Sequence, residues 1–426
     1  MPRLSRRQFV TTAGLATAVG VAAWRPSEQG APHDSYFRGM QAALRMAGVG
    51  MPTLVIDRDR LQANAKQVSA HIGGRMGLRL VNKSLPCLPL LDEVARLTGS
   101  QRQMVFNLPY LQLLTQQRPD VDVLLGKPLP VAAAAQFYAK RPISGFDPAR
   151  QLQWLVDTPQ RLAQYRDLAR AQQQPVRVNI EIDVGLHRGG VLDDGTLRNM
   201  IQLLQQEPLL QWSGLMGYDP HTEKIPDLPG VRQQARDHAK AVYRRLTDVM
   251  QASPLAKPAA QLTLNTAGSP TYRLHDGTGA ANEVSVGSAM VKPTDFDTPL
   301  LADLMPACFI ATPVIKSGPF QAPDGVEWLG KLVKLWDANQ RHAVFIYGGH
   351  WLAQPVSPPG LASSGLMGPS SNQQILLGSG QQGLQPDDFV FMRPTQSEAV
   401  LQQFGDIAVY SQGRITEWWP VFPAQA

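Results

Sequence analysis

Cysteine is almost missing from this sequence, which has only Cys87 and Cys308 among 426 residues. Two cysteines cannot build the disulfide framework of a small secreted domain, and we expect both to be small buried hydrophobic side chains. Long runs of basic residues are also missing, because the 40 lysines and arginines are dispersed among 34 acidic side chains. That dispersal argues against a nucleic-acid-binding stripe. No internal repeat has the period of a solenoid.

The first 30 residues are interpreted as a targeting segment and a linker. The pair Arg6 and Arg7 precedes the weakly apolar run FVTTAGLATAVGVAA at 9–23, which ends in small residues. This order is typical of a twin-arginine export signal, and the run is shorter than the roughly 20 residues that a membrane-spanning helix needs. We therefore predict that the twin-arginine machinery exports the folded protein to the periplasm and that cleavage follows Ala23.

Short apolar runs alternate with helical stretches through the next part of the chain. The runs are 52–57, 78–83, 104–107, 122–126, 153–157, 178–185, 214–219 and 262–268. Helical stretches such as 158–173 and 229–251 separate them, and Asp59 is a candidate N-cap for the first helix. This alternation predicts a parallel sheet, and about eight such units close a (β/α)8 barrel over 31–300. An open doubly wound sheet is the alternative fold.

The composition changes after residue 300, where proline, glycine and β-forming residues dominate. The runs ACFIATPVIK, KLVKLW, AVFIYGG, DDFVFMRP and DIAVYSQGRITEWWPVF indicate a mostly antiparallel β domain over 301–426. The stretch 355–374 is long and rich in proline, glycine and serine, which fits either a mobile lid or a simple connection.

Several residues with reactive side chains fall at predicted strand ends. Lys83 ends the second run, and a desolvated lysine can act as an amine nucleophile. Arg188 follows the sixth run in IEIDVGLHRGGV, where a glycine-rich turn can aim a guanidinium at an oxyanion. Because the active site of such a barrel lies where its strands end, Lys83, Asp183, Tyr218 and the segment near Gly268 should share one face.

Two glycine–serine pairs also fall at strand ends, Gly268 with Ser269 in NTAGSPTY and Gly287 with Ser288 in VSVGSAM. Such turns leave backbone N–H groups free to hold a phosphate. A purely structural explanation competes with each feature, because a strand-end lysine or arginine is commonly a surface residue and turn glycines are commonly only turns.

Seven motifs, taken together and in order, resemble one known family. They are TLVID, RLVNKS, EIDVGLHRGGV, GLMGYDPH, AGSPTY, VGSAM and RITEWWPV. From about residue 50 to 420 the chain is similar to the D-threonine aldolase and D-serine dehydratase family, whose barrels are relatives of the alanine racemase barrel.

The resemblance implies a fold-type III enzyme that uses pyridoxal 5′-phosphate (PLP). In such an enzyme Lys83 forms an imine with the cofactor and later moves protons at the substrate Cα. Arg188 would contact the phenolic oxygen of the cofactor, and Tyr218 would lie near its ring. The implied phosphate contacts are Gly268, Ser269, Gly287 and Ser288.

The sequence departs from the family near its C-terminus. Metal-dependent members carry a His-x-Cys or His-x-Asp pair after a proline, and the pair holds a divalent ion on the β-hydroxyl of the substrate. Here Gln396 and Glu398 stand at those positions after Pro394. An amide and a carboxylate hold manganese, magnesium or zinc less well than imidazole does, which weakens the case for a metal. Glu398 is instead a candidate general acid or base, and His350 is a candidate extra ligand or a packed residue.

Three reactions begin in the same way, because PLP withdraws electrons from whichever Cα bond is aligned with its ring. They are cleavage of Cα–Cβ, loss of the β-hydroxyl, and racemisation. Racemisation needs a second base facing Lys83, and although Tyr347 and Tyr410 are available, the sequence does not assign either to that position. We therefore predict a lyase acting on a β-hydroxy-D-amino acid such as D-threonine or D-serine, with a racemase or a non-catalytic PLP-binding protein as alternatives.

The sequence departs from the family pattern at two further positions. Ala289 and Val81 replace a tyrosine and a histidine that the family commonly has, so the exact reaction differs within the class. The resemblance implies a small amino acid as substrate and a monomer or a homodimer.

Overall fold

The structure is a computed structural model that describes residues 25–140 and 145–423. The predicted twin-arginine signal and the cleavage position after Ala23 lie outside these residues. Within the part of the chain that is described, no helix combines the length and apolar composition needed to cross a membrane.

The described residues form two compact units, and each unit is built from separate segments of the chain. The barrel unit takes in 54–308, 395–411 and 416–423, and the antiparallel unit takes in 25–53, 309–394 and 412–415. The predicted division into 31–300 and 301–426 stays a prediction. The segment at 395–411, which contains Glu398, belongs to the barrel unit.

The helices and strands have the following bounds. The helices are α1 Ser35–Met46, α2 Arg58–Ile72, α3 Leu88–Thr98, α4 Leu108–Gln117, α5 Val131–Ala139, α6 Pro148–Gln151, α7 Pro159–Gln172, α8 Asp194–Gln205, α9 His221–Lys224, α10 Val231–Gln251 and α11 Glu327–Trp336. The strands are β1 Thr53–Asp57, β2 Gly77–Val81, β3 Arg102–Val105, β4 Asp122–Leu125, β5 Leu152–Val156, β6 Val176–Ile182, β7 Leu210–Gly217, β8 Thr263–Thr266, β9 Glu283–Val286, β10 Cys308–Pro319, β11 His342–Tyr347, β12 Ala353–Ser357, β13 Ala362–Ser363, β14 Gln373–Gly378, β15 Phe389–Pro394, β16 Ile407–Ser411 and β17 Arg414–Trp419.

Strands β2 to β9 form a closed parallel barrel, in which β2 and β9 pair directly, for example at Leu78 and Val284. The predicted α/β barrel is confirmed, and the open doubly wound sheet is excluded. Helices α7 and α10 confirm the helical stretches predicted at 158–173 and 229–251. Cys87 and Cys308 are free and buried, as predicted.

One predicted barrel strand was wrong. The run at 52–57 forms β1, which pairs in parallel with β16, Val55 opposite Ala408, and the eighth barrel strand is β9. All five residues of β1 are buried, so its apolar run has the same appearance as a barrel strand and periodicity cannot distinguish the two sheets. The predicted N-cap Asp59 was also wrong, because the side chain of Asp57 accepts the Arg60 N–H at 2.9 Å and caps α2.

The amino-terminal end of the barrel is filled by a buried ionic cluster. Arg79 donates to Glu283 at 2.6 Å and to Asp122 at 2.6 Å, and Arg102 lies 3.2 Å from the second oxygen of Glu283. Arg79 and Glu283 are buried, so each compensates the charge of the other in a region that excludes water.

The antiparallel unit has the predicted strand arrangement. Strand β11 pairs antiparallel with β10 and β14, and β15 pairs antiparallel with β10 and β12. The strand predicted from KLVKLW at 331–336 was wrong, because these residues lie in α11. A Cβ on Gly330 would lie 2.5 Å from the Ala322 Cβ, so glycine lets this helix pack closely on the chain before it.

Candidate active site

A cavity of 420 Å³ lies at the carboxyl ends of the barrel strands. That volume falls within the roughly 300–1,000 Å³ of small-molecule sites. Of the predicted site residues, the cavity is lined by Lys83, Arg188, Tyr218, Gly268, Ser269, Gly287, Ser288 and Glu398. Each follows a barrel strand except Glu398, which lies in the segment after β15. A larger cleft of 990 Å³ against α10 contains none of them.

Lys83 lies in a short 3₁₀ turn, Asn82–Ser84, directly after β2. Its Nζ is 3.5 Å from Glu398 Oε1 and 4.7 Å from the centre of the Phe106 ring. A Cβ on Gly126 would lie 2.3 Å from Phe106 Cζ, so glycine at that position leaves room for the ring. The side chain of Lys83 is 42% exposed and lines the cavity, which leaves the amine accessible to a ligand.

Two hydroxyl groups hold the Glu398 carboxylate. Ser84 Oγ donates to Oε1 at 2.9 Å, and Ser397 Oγ donates to Oε2 at 3.3 Å. The Ser397 hydroxyl also shares a hydrogen bond of 3.0 Å with Ser288 Oγ. Hydroxyl groups therefore hold both oxygens of the carboxylate, and Oε1 also faces the ammonium of Lys83.

Gln396 lies apart from this arrangement. Its side-chain amide donates to Asp295 Oδ2 at 2.9 Å on the surface, and the residue does not line the cavity. His350 likewise lies outside the cavity lining and belongs to the antiparallel unit. Among the described residues, no group of three or more His, Cys, Asp or Glu side chains is arranged to hold a metal ion.

The guanidinium of Arg188 lies over the ring of Tyr218 in the wall of the cavity. The Arg188 Cζ is 4.9 Å from the centre of the Tyr218 ring. Burial raises the pKa of Tyr218 to about 12, so its hydroxyl keeps its proton at neutral pH. Asp183 accepts N–H groups from Gly185 at 2.9 Å and His187 at 3.0 Å, and so shapes the turn that presents Arg188.

The two glycine–serine turns pack against each other through Ser269. Its Oγ accepts the N–H groups of Gly287 and Ala289, both at 3.1 Å. These two N–H groups therefore already have a partner, while Ser269 and Ser288 both belong to the cavity lining. A Cβ on Gly268 would lie 2.6 Å from Tyr218 Cε2, which makes glycine necessary there.

Hydrogen bonds to Thr271 and Asp219 support the turn at Gly268 from behind. Gly268 N–H donates to Thr271 Oγ1 at 3.3 Å, and the Thr271 hydroxyl donates to Asp219 Oδ1 at 2.6 Å. Asp219 Oδ2 also pairs with His275 Nε2 at 2.8 Å. The position of the turn therefore depends on a carboxylate that does not itself face the cavity.

Glu181 lines the cavity, although its position in the sequence did not mark it as a site residue. Burial raises its pKa to about 7 against the opposing charge of Arg188, and Asp157 and Asp183 add to the rise. The alternation of β6 contained the signal: Asn179 points into the barrel, where it donates to Gln153 Oε1 at 3.3 Å, so Glu181 lies on the same side. Other lining residues missed were Phe106, Lys127, Asp157, Asn265, Ser285 and Phe296.

Comparison with known proteins places this cavity in a known fold. The family described as alanine racemase, N-terminal domain, matches residues 56–295. No curated protein sequence matches the chain.

Solved structures share the fold at low sequence identity. D-threonine aldolase from Filomicrobium marinum is similar with a TM-score of 0.70 and 18% identity, over 88% of this chain and 97% of that one. D-threo-3-hydroxyaspartate dehydratase from Delftia sp. HT23 has a TM-score of 0.69 and 18% identity, over 88% and 98%. Alanine racemase from Bacillus anthracis has a TM-score of 0.65 and 13% identity, over 87% and 98%.

Proposed function

The chain belongs to the alanine racemase N-terminal domain family, and from that premise we propose that it is a PLP-dependent lyase acting on a β-hydroxy-D-amino acid. The observation that carries the proposal is the approach of Lys83 Nζ to Glu398 Oε1, 3.5 Å apart, in the cavity that Arg188 and the glycine–serine turns also line. An amine and a carboxylate in this position provide two proton-transfer groups at one end of a single ligand site.

The residues of the cavity fit PLP. Lys83 offers an accessible amine for its aldehyde, Ser269 offers a hydroxyl group for its phosphate, and Arg188 offers a cation for its phenolic oxygen. Ser288 also lines the cavity, but its hydroxyl is hydrogen-bonded to Ser397. The Tyr218 ring forms a wall beside these groups. When bound, PLP supplies an electron-withdrawing ring that weakens the bonds at the substrate Cα.

Two side chains would then move the protons. The Lys83 amine accepts or returns a proton at the substrate Cα, as the family resemblance implies. Glu398 acts at the β-oxygen: as a carboxylate it accepts the hydroxyl proton when Cα–Cβ breaks, and in its acid form it protonates the hydroxyl that leaves as water. Because Ser84 and Ser397 hold the carboxylate, it needs little reorganisation for either task.

We propose that the reaction does not need a divalent metal. Gln396 donates its amide to Asp295 at the surface rather than facing the cavity. Glu398, the other residue at the family's metal positions, is instead held by two hydroxyl groups and faces an ammonium. Lys83 therefore supplies the positive charge next to that carboxylate.

A substrate test distinguishes the alternatives. Protein loaded with PLP is incubated with D-threonine, D-serine and D-threo-3-hydroxyaspartate, each with EDTA or with manganese. We expect glycine and acetaldehyde from D-threonine, or a 2-oxo acid and ammonia from the other two, in the presence of EDTA. Formation of the L-isomer alone would identify a racemase. A bound, borohydride-reducible cofactor with no product from any substrate would identify a binding protein.

We also propose that residues 1–23 direct export by the twin-arginine machinery to the periplasm. The support is sequence-based: the arginine pair, the short apolar run and the small residues before Trp24. Replacement of Arg6 and Arg7 by lysine should leave the protein in the cytoplasm, as cell fractionation would show. Export that is unaffected by this double replacement would contradict the proposal.

A further inference from the structure

One of the cations that line the cavity has no partner among the described residues. The lining contains three basic side chains, Lys83, Lys127 and Arg188. Lys83 Nζ lies 3.5 Å from Glu398 Oε1, and the Arg188 guanidinium lies over the Tyr218 ring. Lys127 is exposed, and within the described chain its ammonium forms no ion pair and no hydrogen bond. An unpaired ammonium in a ligand cavity is suited to an anionic group of the ligand.

The barrel places Lys127 next to the reactive amine and across from the turn at Gly268. Strands β2, β3 and β4 are neighbours in the barrel, and Lys83, Phe106 and Lys127 follow them in that order. In a closed barrel of eight strands β4 lies opposite β8, the strand that precedes Gly268. A phosphate held at that turn is therefore on the other side of the cavity from the strand that carries Lys127.

The Phe106 ring borders both lysines. Lys83 Nζ is 4.7 Å from the centre of this ring. A Cβ on Gly126, the residue before Lys127, would lie 2.3 Å from Phe106 Cζ, so the chain at Lys127 begins beside the same ring. In an amino acid the carboxylate carbon is two bonds from the nitrogen that takes the place of Lys83 Nζ at the cofactor. The carboxylate is thus close to the origin of a long, flexible and charged side chain.

We infer that Lys127 binds the α-carboxylate of the substrate and that the substrate carries only this one carboxylate. The inference rests on the proposed function, which assigns Lys83 to the aldehyde of PLP and Arg188 to its phenolic oxygen. Lys127 is then the lining cation that remains, and every amino acid brings a carboxylate. The lining also contains three acidic side chains, Asp157, Glu181 and Glu398. A second carboxylate would meet these acids without a further basic side chain in the described lining, which favours D-threonine or D-serine over D-threo-3-hydroxyaspartate.

Binding of two small amines to the PLP-loaded protein tests the role of Lys127. D-alanine has a carboxylate where D-alaninamide has a neutral amide of similar size. Neither compound has a β-hydroxyl group, so binding is measured without the lyase reaction. We expect wild type to bind D-alanine at least about tenfold more tightly, the effect of one hydrogen bond between charged groups. Lys127→Met should lose this preference through weaker binding of D-alanine alone, as titration of the cofactor absorption or calorimetry would show.

Two variants control this measurement. Lys127→Arg keeps the charge and should keep the preference. Lys66→Met should also keep it, because Lys66 is exposed in α2 and does not line the cavity. A preference for D-alanine that survives in Lys127→Met would overturn the inference. Equal weakening of both amines in that variant, or loss of its bound PLP, would likewise overturn it, since Lys127 would then support the cavity or the cofactor rather than a carboxylate.

Turnover tests the number of carboxylates. For wild type, kcat/KM for the better of D-threonine and D-serine should exceed that for D-threo-3-hydroxyaspartate by at least about tenfold, because a second carboxylate meets like charge. An equal or higher value for D-threo-3-hydroxyaspartate would overturn the substrate class. Absence of product from all three would reject the proposed function and the substrate class with it, while the amine titrations still decide whether Lys127 binds a carboxylate.

Discussion

The Lys83 Nζ and the Glu398 Oε1 lie 3.5 Å apart in the wall of the cavity, although Lys83 follows a barrel strand and Glu398 follows β15. Glu398→Gln keeps an acceptor for the Ser84 hydroxyl but cannot exchange a proton. We expect this variant to bind PLP normally and to lose roughly 10²–10⁴-fold in kcat, the usual contribution of a general acid or base. Steady-state kinetics with the D-amino acid that wild type turns over in the substrate test would measure the loss.

Gln396→Ala is the matched control for that variant, because Gln396 is exposed and lies outside the cavity. Its kcat should stay within about threefold of wild type, the range expected of surface changes, with or without EDTA. A large loss in Gln396→Ala that added manganese alters would show that the two positions share a metal after all.

Lys83→Ala should abolish the covalent link to the cofactor. The cavity has a second lysine, Lys127, so Lys127→Ala tests whether the position of the amine matters. We expect borohydride to fix PLP onto wild type and Lys127→Ala but not onto Lys83→Ala, as intact-mass spectrometry would detect. Fixation onto Lys83→Ala at a single site would assign the imine to another residue.

Gly268→Ala should weaken PLP binding, because its Cβ would lie 2.6 Å from the Tyr218 ring. The ring or the turn must shift, and both face the cavity. Gly279→Ala is the matched control, since a Cβ there meets nothing within 4 Å. We expect at least a tenfold higher Kd for PLP only in Gly268→Ala, measured by equilibrium titration. Equal Kd values would mean that the turn yields without moving the cofactor.

The raised pKa of Glu181 predicts a pH dependence of stability. Burial raises this pKa from 4.5 to about 7, so the folded protein holds a proton that the unfolded chain has already released. The contribution to stability is complete below pH 4.5 and is lost as the pH rises through 7. Relative to Glu181→Gln, the wild-type free energy of unfolding should fall by about 2–3 kcal/mol between pH 5 and pH 8.

Urea unfolding of both proteins across this pH range would measure the difference. The exposed variant Asp120→Asn should follow wild type throughout. Parallel curves for wild type and Glu181→Gln would show that the carboxyl is ionised at neutral pH.

Arg79→Met should destabilise the barrel strongly, because it leaves the buried Glu283 carboxylate without its buried partner and with only the half-exposed Arg102 as a cation beside it. Loss of one member of a buried ion pair costs about 3–5 kcal/mol. Arg102 contacts the same carboxylate but is 48% exposed, so Arg102→Met should cost about 1 kcal/mol or less. Chemical denaturation would measure both, and similar losses would mean that Glu283 is paired mainly through Arg102.

Much of the fold was predictable because barrel strands and helices alternate with strong apolar periods. The sequence could not show that β9 rather than β1 is the eighth barrel strand, since both are short apolar strands and only their pairing distinguishes them. Helix α11 was mistaken for a strand because KLVKLW is a short apolar run, and such runs fit either structure. The helix begins at Glu327, four residues before this run, so the run alone does not contain the start of the helix.

Strand-end reasoning placed Lys83, Asp183, Tyr218 and the segment near Gly268 on one face, because parallel strands direct their following residues to one face. All of these line the cavity except Asp183. Their proposed roles stay predictions. The separation of Gln396 from Glu398 could not be foreseen, since a spacing of two residues does not define which side chain faces the barrel. Glu181 was missed because the inward alternation of β6 was not followed through to its acidic residues.

The segment at 395–411 belongs to the barrel unit but follows the antiparallel unit in the chain. A ribosome that has completed all eight barrel strands has therefore not yet made Glu398, and residues 309–394 of the antiparallel unit must be translated first. A prematurely terminated chain ending between β9 and β15 would have the amine without the carboxylate. Given the role proposed for Glu398, such an incomplete product would not turn over an amino acid, which limits the chemistry to finished molecules.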